Sequence, residues 1–433
     1  MRRGRLKLLV SNKKGDIFSH DRLEASGMKA GTFVKLEPAN LIKLPPGSRL
    51  FMLPDRRPVG YDPETAYFTP TISNFGVAAF LPPGYTVTYN SPYSEIGRPR
   101  PLPLFAYAAA ALYKGTFHVA AFRVDKDRRH DTRFINIYLV RKNIRAFKKL
   151  FPDNRLISHL ESCAMDYGCP GAQNFFLHRY EGPLPSSPTC NAVCLGCISY
   201  QVRTKCPETQ PRIKFAPSSE EIAEVAIFHI ENVKDTVVSF GQGCDGEPLM
   251  AGEQIERAIK LIRKKTEKGL INMNTNGSMP RILERLFDAG LDSIRVSMNS
   301  ARPEYYTAYY KPAGYNFNDV IRSIDIAKKK NHFVSINYLT MPGFSDSNDE
   351  FQALKRLIKT YCIDMIQWRN LNFDPIFYFR KMKIKTDASR LIGIKEEVET
   401  LKNDFPGLMM GYFNPTESSV KKISFHAAAS RRQ

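Results

Sequence analysis

The chain has 433 residues, 43% of them hydrophobic and 11% aromatic, so it is long enough for two folded domains and too apolar to be disordered. No apolar run reaches the roughly 18 residues that span a bilayer, and the apolar stretch near the start is too short for a signal peptide. These features exclude a membrane protein and predict a cytoplasmic one, in which eight cysteines stay reduced.

The net charge is +20 and is unevenly distributed along the chain. Residues 1–180 carry 28 basic and 14 acidic side chains, whereas residues 181–433 carry 35 and 29. Such a surplus favours a polyanionic partner, RNA first among them, bound by the N-terminal part. General solubility is an equally good explanation of the same surplus.

Short apolar runs separated by proline and glycine turns predict a basic, β-rich N-terminal domain over residues 1–180. The two residues between the last two predicted strands are Lys114 and Gly115, which suit a tight hairpin. Strands are predicted at residues 6–10, 32–36, 50–53, 77–81, 104–113 and 116–124.

The pattern then changes to helical spacing, which predicts helices at residues 141–151 and 154–167. One face of the first helix is basic and could lie on a phosphate backbone. The solvated face of a docked helix is the ordinary alternative. The basic residues are Arg141, Lys142, Arg145, Lys148 and Lys149.

After Cys190, strand-like runs alternate with helical patterns, which predicts βα units on a parallel sheet. Right-handed crossovers would curl six such units into a partial (β/α)6 TIM-like barrel. The predicted fold class is therefore α/β, with a core domain at residues 181–375 and the additional β-rich N-terminal domain. A C-terminal extension at residues 376–433 holds a predicted helix (387–401), a strand (408–412) and a basic tail. Core strands are predicted just before Cys190 and at 236–240, 270–274, 293–298, 333–339 and 365–370, and helices at 218–231, 252–269, 280–289, 317–329 and 351–361.

A cysteine triplet, CNAVCLGC, follows the first of these strands with the spacing C-x3-C-x2-C. Cys190, Cys194 and Cys197 form an incomplete tetrahedral set, and a metal site with one open position is a site for chemistry. The triplet resembles the cluster-binding motif of the radical S-adenosylmethionine (radical SAM) superfamily. The family often has an aromatic residue where this chain has Gly196, so packing of the cofactor's adenine is expected to differ here.

The resemblance implies a 4Fe-4S cluster held by the three cysteines and S-adenosylmethionine (SAM) on the fourth iron. Reductive cleavage of SAM would then yield a 5′-deoxyadenosyl radical that abstracts hydrogen from a substrate. An electron donor such as flavodoxin or ferredoxin is implied as a partner.

A glycine-rich loop, GQGCDGEP, follows the second strand and resembles the family's GGEP motif, which binds the methionyl amino group. Polar residues at the ends of later strands resemble those that hold the ribose and carboxylate, although ordinary strand-end hydrogen bonds are the alternative. All of them fall at the carboxyl ends of strands, where sites of such sheets lie. The predicted cofactor-binding residues are Gly246, Glu247, Pro248, Asn276, Ser297, Asn299 and Asn337.

Five further cysteines lie outside the triplet, and four of them could hold a second iron–sulfur cluster, although no C-x2-C pair supports one. Cys244 lies inside the glycine-rich loop, so it is also a candidate catalytic residue that donates a hydrogen atom to a product radical. The five are Cys163, Cys169, Cys206, Cys244 and Cys362.

Four tyrosines at helical spacing within residues 302–312 could stack a nucleic-acid base. Packing on the barrel is the alternative for at least two of them. The leading hypothesis for function is a radical SAM enzyme that modifies RNA. The alternatives are modification of a protein, peptide or small anionic metabolite, and a non-catalytic iron–sulfur protein that binds nucleic acid.

Overall fold

A computed structural model describes residues 4–385, 387 and 390–420. The predicted basic tail, residues 426–433, lies outside this part of the chain. The described strands form antiparallel sheets in the N-terminal part and one parallel sheet in the C-terminal part, as the sequence predicts. No helix within the described ranges has both the length and the apolar character needed to cross a membrane.

The N-terminal part is built from short antiparallel strands. Its main sheet has the order β11-β7-β2-β1-β12-β13-β5, with β8 beside β7. The predicted hairpin is confirmed: Tyr113 pairs with Thr116, and Lys114 and Gly115 have φ of 48° and 75°, as a type I′ turn requires. The strands are β1 Lys7–Ser11, β2 Ile17–Glu24, β3 Ser26–Lys29, β4 Thr32–Lys35, β5 Ile42–Lys43, β6 Arg49–Leu53, β7 Arg56–Asp62, β8 Tyr67–Pro70, β9 Gly76–Phe80, β10 Tyr85–Val87, β11 Tyr93–Glu95, β12 Ala110–Tyr113, β13 Thr116–Val119 and β14 Ala121–Arg123.

Three helices connect the two parts: α1 Ile137–Leu150, α2 Arg155–Met165 and α3 Pro170–Phe176. Asn136 caps α1 and Asn154 caps α2, each by accepting backbone N–H hydrogen bonds. The apolar faces of these helices belong to the same hydrophobic core as the parallel sheet, while the basic face of α1 is exposed. The helices therefore pack on the C-terminal sheet, although they precede it in the chain.

The C-terminal part is a parallel sheet whose strands lie side by side in chain order, from β15 to β21. Strands β16 and β17 are buried along their whole length, because helices cover the sheet. The strands are β15 Glu181–Leu184, β16 Val237–Phe240, β17 Leu270–Thr275, β18 Ser293–Met298, β19 Phe333–Thr340, β20 Met365–Asn370 and β21 Met409–Gly411. The helices are α4 Ser219–Asn232, α5 Gly252–Lys265, α6 Pro280–Ala289, α7 Pro303–Tyr310, α8 Phe317–Lys329, α9 Asn348–Tyr361, α10 Pro375–Met382 and α11 Ile394–Asp404.

Most predicted elements of this part are present, and the differences have local causes. The helix predicted at 387–401 begins only at Ile394, after Gly393 with a φ of 100°. The short strand predicted near residue 410 joins the sheet as β21, parallel to β20. Helix α10 was not predicted; Pro375 occupies its first turn, and Asp374 caps it.

Candidate functional site

A cavity of about 240 Å³ lies at the carboxyl ends of β16, β17 and β18. Its walls contain the three cysteines of the triplet, the glycine-rich loop after β16 and the polar ends of the next two strands. Of the predicted site residues, the structure brings together in this wall Cys190, Cys194, Cys197, Gly246, Glu247, Asn276 and Ser297.

The loop that carries the cysteine triplet is fixed by the end of helix α7. Val193 N–H donates to Tyr310 O (2.9 Å), and Leu195 N–H donates to Tyr309 O (3.0 Å). The guanidinium of Arg203 donates to both Val193 O (2.8 Å) and Tyr309 O (2.9 Å). These bonds hold the backbone of the triplet in place through the end of α7 and through Arg203, which bridges the two segments.

The tyrosines of α7 pack under this loop, and this decides between the two predictions made for them. Tyr306, Tyr309 and Tyr310 are buried, and Tyr305 is half-buried. A Cβ at Gly196 would lie 2.8 Å from the hydroxyl oxygen of Tyr309, so glycine is the residue that this packing accommodates. Three of the four rings are therefore part of the core, and base stacking by them is excluded in this conformation.

The three thiols of the triplet are half-buried and free of disulfides. Burial, helped by the nearby carboxylate of Glu247, raises the pKa of Cys190 to about 11. Burial raises the pKa of Cys194 still further, and the neighbouring thiols add to this effect. Bound metal must therefore displace protons from these thiols.

The three sulfur atoms are spread around the cavity wall. Within the described part of the chain, they do not form a group of ligand atoms that lie within 4.8 Å of one another. A single ion draws its thiolates close together, whereas a 4Fe-4S cluster places each on a separate iron. Three thiols spread around one cavity therefore fit a polynuclear cluster.

The glycine-rich loop packs backbone to backbone against the segment before the triplet. Gly246 N–H donates to Ser187 O (2.7 Å), and Glu247 N–H donates to Thr189 O (2.8 Å). A Cβ at Gly246 would overlap the carbonyl of Thr189. The glycine is therefore required for this close approach.

The carboxylate of Glu247 is buried and joins two loops. It accepts hydrogen bonds from the Thr275 hydroxyl, from Asn276 N–H (2.8 Å) and from Leu249 N–H (3.2 Å). Burial raises its pKa to about 7, and these bonds oppose that effect. By accepting these three hydrogen bonds, Glu247 holds the cavity wall together.

Asp245 is a second buried carboxylate of this loop, and sequence reasoning missed it. It accepts from Ser187 N–H (2.7 Å), Ser186 N–H (3.0 Å) and Gly246 N–H (3.0 Å). Burial raises its pKa to about 6. The acidic residue inside a glycine-rich loop was the available signal, because such loops bring backbone N–H groups together.

Asn276 ties the end of β17 to the triplet. Its side-chain N–H donates to Asn191 Oδ1 (2.8 Å), and Asn191 in turn donates to the Ser278 hydroxyl (2.9 Å). Asn191 follows Cys190 directly, so this chain of bonds positions the first cysteine.

Four predicted residues do not line the cavity. Pro248 is buried in the turn after the glycine-rich loop. Asn299 is fully buried and donates to Tyr305 O (3.3 Å), while Asn337 donates to the Ser297 hydroxyl (3.5 Å). Cys244 is buried on the other side of its loop, beside Cys163. The predicted hydrogen-atom donor thus does not face the cavity.

The remaining cysteines do not form one group. Cys206 donates its thiol hydrogen bond to Leu102 O (3.5 Å), and Cys362 is exposed at the end of α9. Cys169 is half-buried just before α3. Cys163, Cys169 and Cys244 lie near one another. Within the described residues no fourth cysteine joins them to complete the set considered for a second iron–sulfur cluster.

Arg295 is the main cavity residue that sequence reasoning missed. It lies on β18 and lines the cavity, and its Nε–H is a buried donor with no hydrogen-bond partner among the described residues. Burial, with a contribution from Arg369, lowers its pKa to about 9. The Tyr310 hydroxyl is a second unpartnered buried group in the cavity wall. Unpartnered donors around a cavity fit a ligand that supplies acceptors.

Comparisons with known proteins agree with this geometry. Residues 184–358 match the family model described as the Radical SAM superfamily. An uncharacterized protein of Methanocaldococcus jannaschii is 27% identical over 184 residues, which cover 40% of this chain and 61% of that protein. The FeMo cofactor biosynthesis protein NifB of Klebsiella pneumoniae is 25% identical over 179 residues, 38% of each chain. The chain thus spans about six-tenths of the first relative and about four-tenths of the second.

Among solved structures, one described as native anSMEcpe with bound AdoMet is 20% identical, with a TM-score of 0.37. The alignment covers 53% of this chain and 60% of that one.

Proposed function

We propose that the chain is a radical SAM enzyme whose active site is the cavity at the cysteine triplet, since residues 184–358 match the radical SAM superfamily model. One observation carries the proposal: a single cavity is lined by three free thiols, a glycine-rich loop and the polar ends of two parallel strands. Superfamily membership implies a 4Fe-4S cluster and SAM as cofactors.

Cys190, Cys194 and Cys197 would hold the cluster, and the backbone around Gly246 would receive the methionyl group of SAM. When bound, these cofactors supply a 5′-deoxyadenosyl radical that takes a hydrogen atom from the substrate. Ser297 offers a hydroxyl to the same cavity.

The protein's own contribution is to keep the cavity in one shape. Asp245 fixes the glycine-rich loop on the segment before the triplet, and Glu247 fixes it on the end of β17. Asn276 then holds Asn191, next to the first cysteine. These three buried side chains give the site a rigid frame, and rigid frames set reacting atoms within small tolerances.

We also propose that the sheet curls into the partial (β/α)6 barrel predicted from the sequence. The chain-ordered, all-parallel strands support this architecture. A substrate would then reach the cavity from the carboxyl ends of the strands, where it lies.

Arg295 favours a substrate with an anionic group. Its guanidinium lines the cavity, is buried, and makes only weak contacts, with Gln367 Oε1 at 3.3 Å and Asn414 Oδ1 at 3.5 Å. No salt bridge to it is formed within the described ranges. The carboxylate of Glu181 acts on this guanidinium through space but forms no salt bridge with it. Because the Nε–H has no hydrogen-bond partner, an anionic ligand that pairs with the guanidinium gains binding energy. This supports a small anionic metabolite, and it also suits the carboxylate of SAM.

An RNA substrate remains the other candidate. The basic face of α1 is exposed, so it is open to a phosphate backbone, and it fits the solvated face of a docked helix equally well. The burial of Tyr306, Tyr309 and Tyr310 removes the base-stacking argument. Modification of a protein or peptide has no specific observation in its favour.

The test is anaerobic reconstitution of the full chain with iron, sulfide and SAM, followed by reduction and measurement of 5′-deoxyadenosine. The expected result is 5′-deoxyadenosine from the wild type and none from Cys194→Ala. A reconstituted cluster that never yields 5′-deoxyadenosine with any extract would overturn the enzymatic proposal and favour the non-catalytic alternative.

The substrate class is resolved by label transfer. Deuterated cellular RNA, protein and small-molecule fractions are supplied separately, and deuterium is traced into 5′-deoxyadenosine. Label from the anionic small-molecule fraction supports the first candidate, and label from RNA supports the second. Arg295→Gln should weaken binding of an anionic substrate about tenfold or more, as expected when a charged partner is removed.

A further inference from the structure

A second group of metal-ligating side chains lies behind the glycine-rich loop, outside the cavity. The ligand atoms of His159, Cys163 and Cys244 all lie within 4.8 Å of one another. His159 and Cys163 are one helical turn apart on α2, so they share a face of that helix. Cys244 comes from the loop after β16. It is the one such group found within the described part of the chain.

The spacing within this group is that of ligands of one tetrahedral ion. Zinc lies about 2.3 Å from thiolate sulfur and about 2.0–2.1 Å from imidazole nitrogen, so tetrahedral angles place the two ligand atoms about 3.6 Å apart. The distance from His159 Nε2 to Cys163 Sγ is 3.6 Å. The three sulfur atoms of the triplet do not all lie within 4.8 Å of one another, so the spacing of ligand atoms differs between the triplet and this group.

The environment also favours a cation. Cys163 and Cys244 are 3% and 4% exposed, respectively. His159 is half-buried at the edge of the pair. Water therefore has little access to the two sulfur atoms, and a metal ion held there would be shielded from solvent. Binding of the ion would deprotonate both thiols, as metal coordination by cysteine requires.

We propose that His159, Cys163 and Cys244 bind a zinc ion in a structural site. Cys169 or a water molecule would complete its tetrahedral coordination. Cys169 N–H donates to Cys163 O (2.9 Å), which keeps that residue beside α2. The reducing conditions expected for a radical SAM enzyme favour thiolate ligation over a disulfide between Cys163 and Cys244.

The site would join helix α2 to the loop that shapes the cavity. Cys244 is followed directly by Asp245 and Gly246, and both of these line the cavity. Ile213 N–H donates to Cys244 O (2.8 Å), so the loop is held on that side as well. Resting on the proposed function, zinc removal is expected to loosen this loop and to raise the KM for SAM more than it lowers kcat.

The test measures metal content of the full chain purified without oxygen and without chelators. The wild type should contain about one zinc per chain, and X-ray absorption at the zinc edge should show two or three sulfur neighbours and one nitrogen. Cys163→Ser and His159→Ala should each lower zinc content at least fivefold. Cys362→Ser is the matched control, because that cysteine is exposed, and its zinc content should stay at the wild-type level.

A triple variant of Cys190, Cys194 and Cys197 to alanine separates this site from the cluster. It should lose cluster iron and all 5′-deoxyadenosine formation, and keep its zinc. A wild type that contains zinc but forms no 5′-deoxyadenosine would overturn only the proposed function.

Three results would overturn the zinc site itself. They are a folded wild type that binds no zinc when zinc is supplied, iron that remains at Cys163 in the triple variant, and a Cys163–Cys244 disulfide in the anaerobic protein. Cobalt substitution of the wild type gives a readout that needs no variant to fold: tetrahedral thiolate ligation predicts strong sulfur-to-cobalt charge-transfer absorption, and its absence contradicts the proposal.

Discussion

The two parts of the molecule use their buried polar side chains in different ways. In the parallel-sheet part, polar residues gather at the strand ends, and the residues that line the cavity all lie between Cys190 and Tyr310. In the antiparallel part, two buried cations face the other part of the chain. Lys29 pairs with Asp346 (2.8 Å) and Arg56 pairs with Asp374 (2.8 Å).

These ion pairs make the N-terminal part a fixed neighbour of the parallel sheet. Asp374 is fully buried and also accepts hydrogen bonds from the Tyr93 hydroxyl (2.8 Å) and from Leu102 N–H (3.1 Å). The same carboxylate caps helix α10. The parallel-sheet part thus contains the cavity, and the antiparallel part contributes two buried ion pairs, here called the joint, that hold the two parts together.

The largest effect is expected at the cysteine triplet. Cys194→Ala removes one of three cluster ligands, so bound iron and 5′-deoxyadenosine formation should fall to background, a loss of at least a thousandfold. The fold should be retained, because the thiol makes no structural bond that alanine cannot replace by packing, and circular dichroism and the melting temperature check this. A variant that keeps its iron would show that the triplet is not the cluster site. Cys362→Ser, at an exposed position, is the control.

The second effect concerns stability and lies at the joint. Asp374→Ala leaves the guanidinium of Arg56 buried without its charge partner, and such losses cost about 3–5 kcal/mol. Urea unfolding should show a lower midpoint for the whole molecule. The double variant Arg56→Met/Asp374→Leu is the control, since removing both charges should restore part of the loss. A single variant as stable as the wild type would contradict the joint. Unchanged iron content per folded chain would confirm that the joint is separate from the chemistry.

How far the sequence predicted this molecule depends on how local each feature is. The bounds of α6, β18, α8 and β20 coincide with the predicted ones, because hydrophobic periodicity is read within a few residues. The cysteine triplet could also be recognised from the sequence, since its three cysteines fall within eight consecutive residues.

The features that were missed depend on distant partners. Arg56 and Asp374 are 318 positions apart, so no local pattern announces their bond. Cys163 and Cys244 were both noted as cysteines, but only the fold shows that α2 and the loop after β16 meet, with His159 beside the two thiols. Arg295 gave a local signal, a charge within a buried strand, and that signal could have been used.

A third effect is pH-dependent and lies where the connecting helices meet the parallel sheet. His229 of α4 is 1% exposed, packs against Phe175 of α3, and contacts Tyr180 O through Nε2 (3.1 Å). Burial lowers its pKa to about 4. The folded state therefore resists protonation of His229. The contribution of neutral His229 to the free energy of unfolding is fully present above its unfolded pKa of about 6.5 and is lost as pH falls toward 4.

The expected loss in the free energy of unfolding is about 1.4 kcal/mol per pH unit over that window, or about 2 kcal/mol at pH 5. Urea titrations between pH 7.5 and 4.5 measure it. His229→Gln should be less stable at pH 7.5 and should show a flatter pH dependence. Identical slopes in variant and wild type would show that this histidine is protonated in the folded protein.

The smallest effect is expected on the exposed face of α1, where the N-terminal part would contact RNA. Reversing Arg141, Lys142 and Arg145 to glutamate should weaken RNA binding severalfold and reduce its salt dependence, because each lost phosphate contact removes about one released counterion. The rate of 5′-deoxyadenosine formation without RNA should stay the same, since these side chains are exposed and do not line the cavity. Reversal of Arg257, Lys264 and Lys265, exposed on α5, is the matched control for net charge. If both sets weaken RNA equally, the binding is nonspecific, and the basic surplus of the N-terminal part serves solubility instead of a partner.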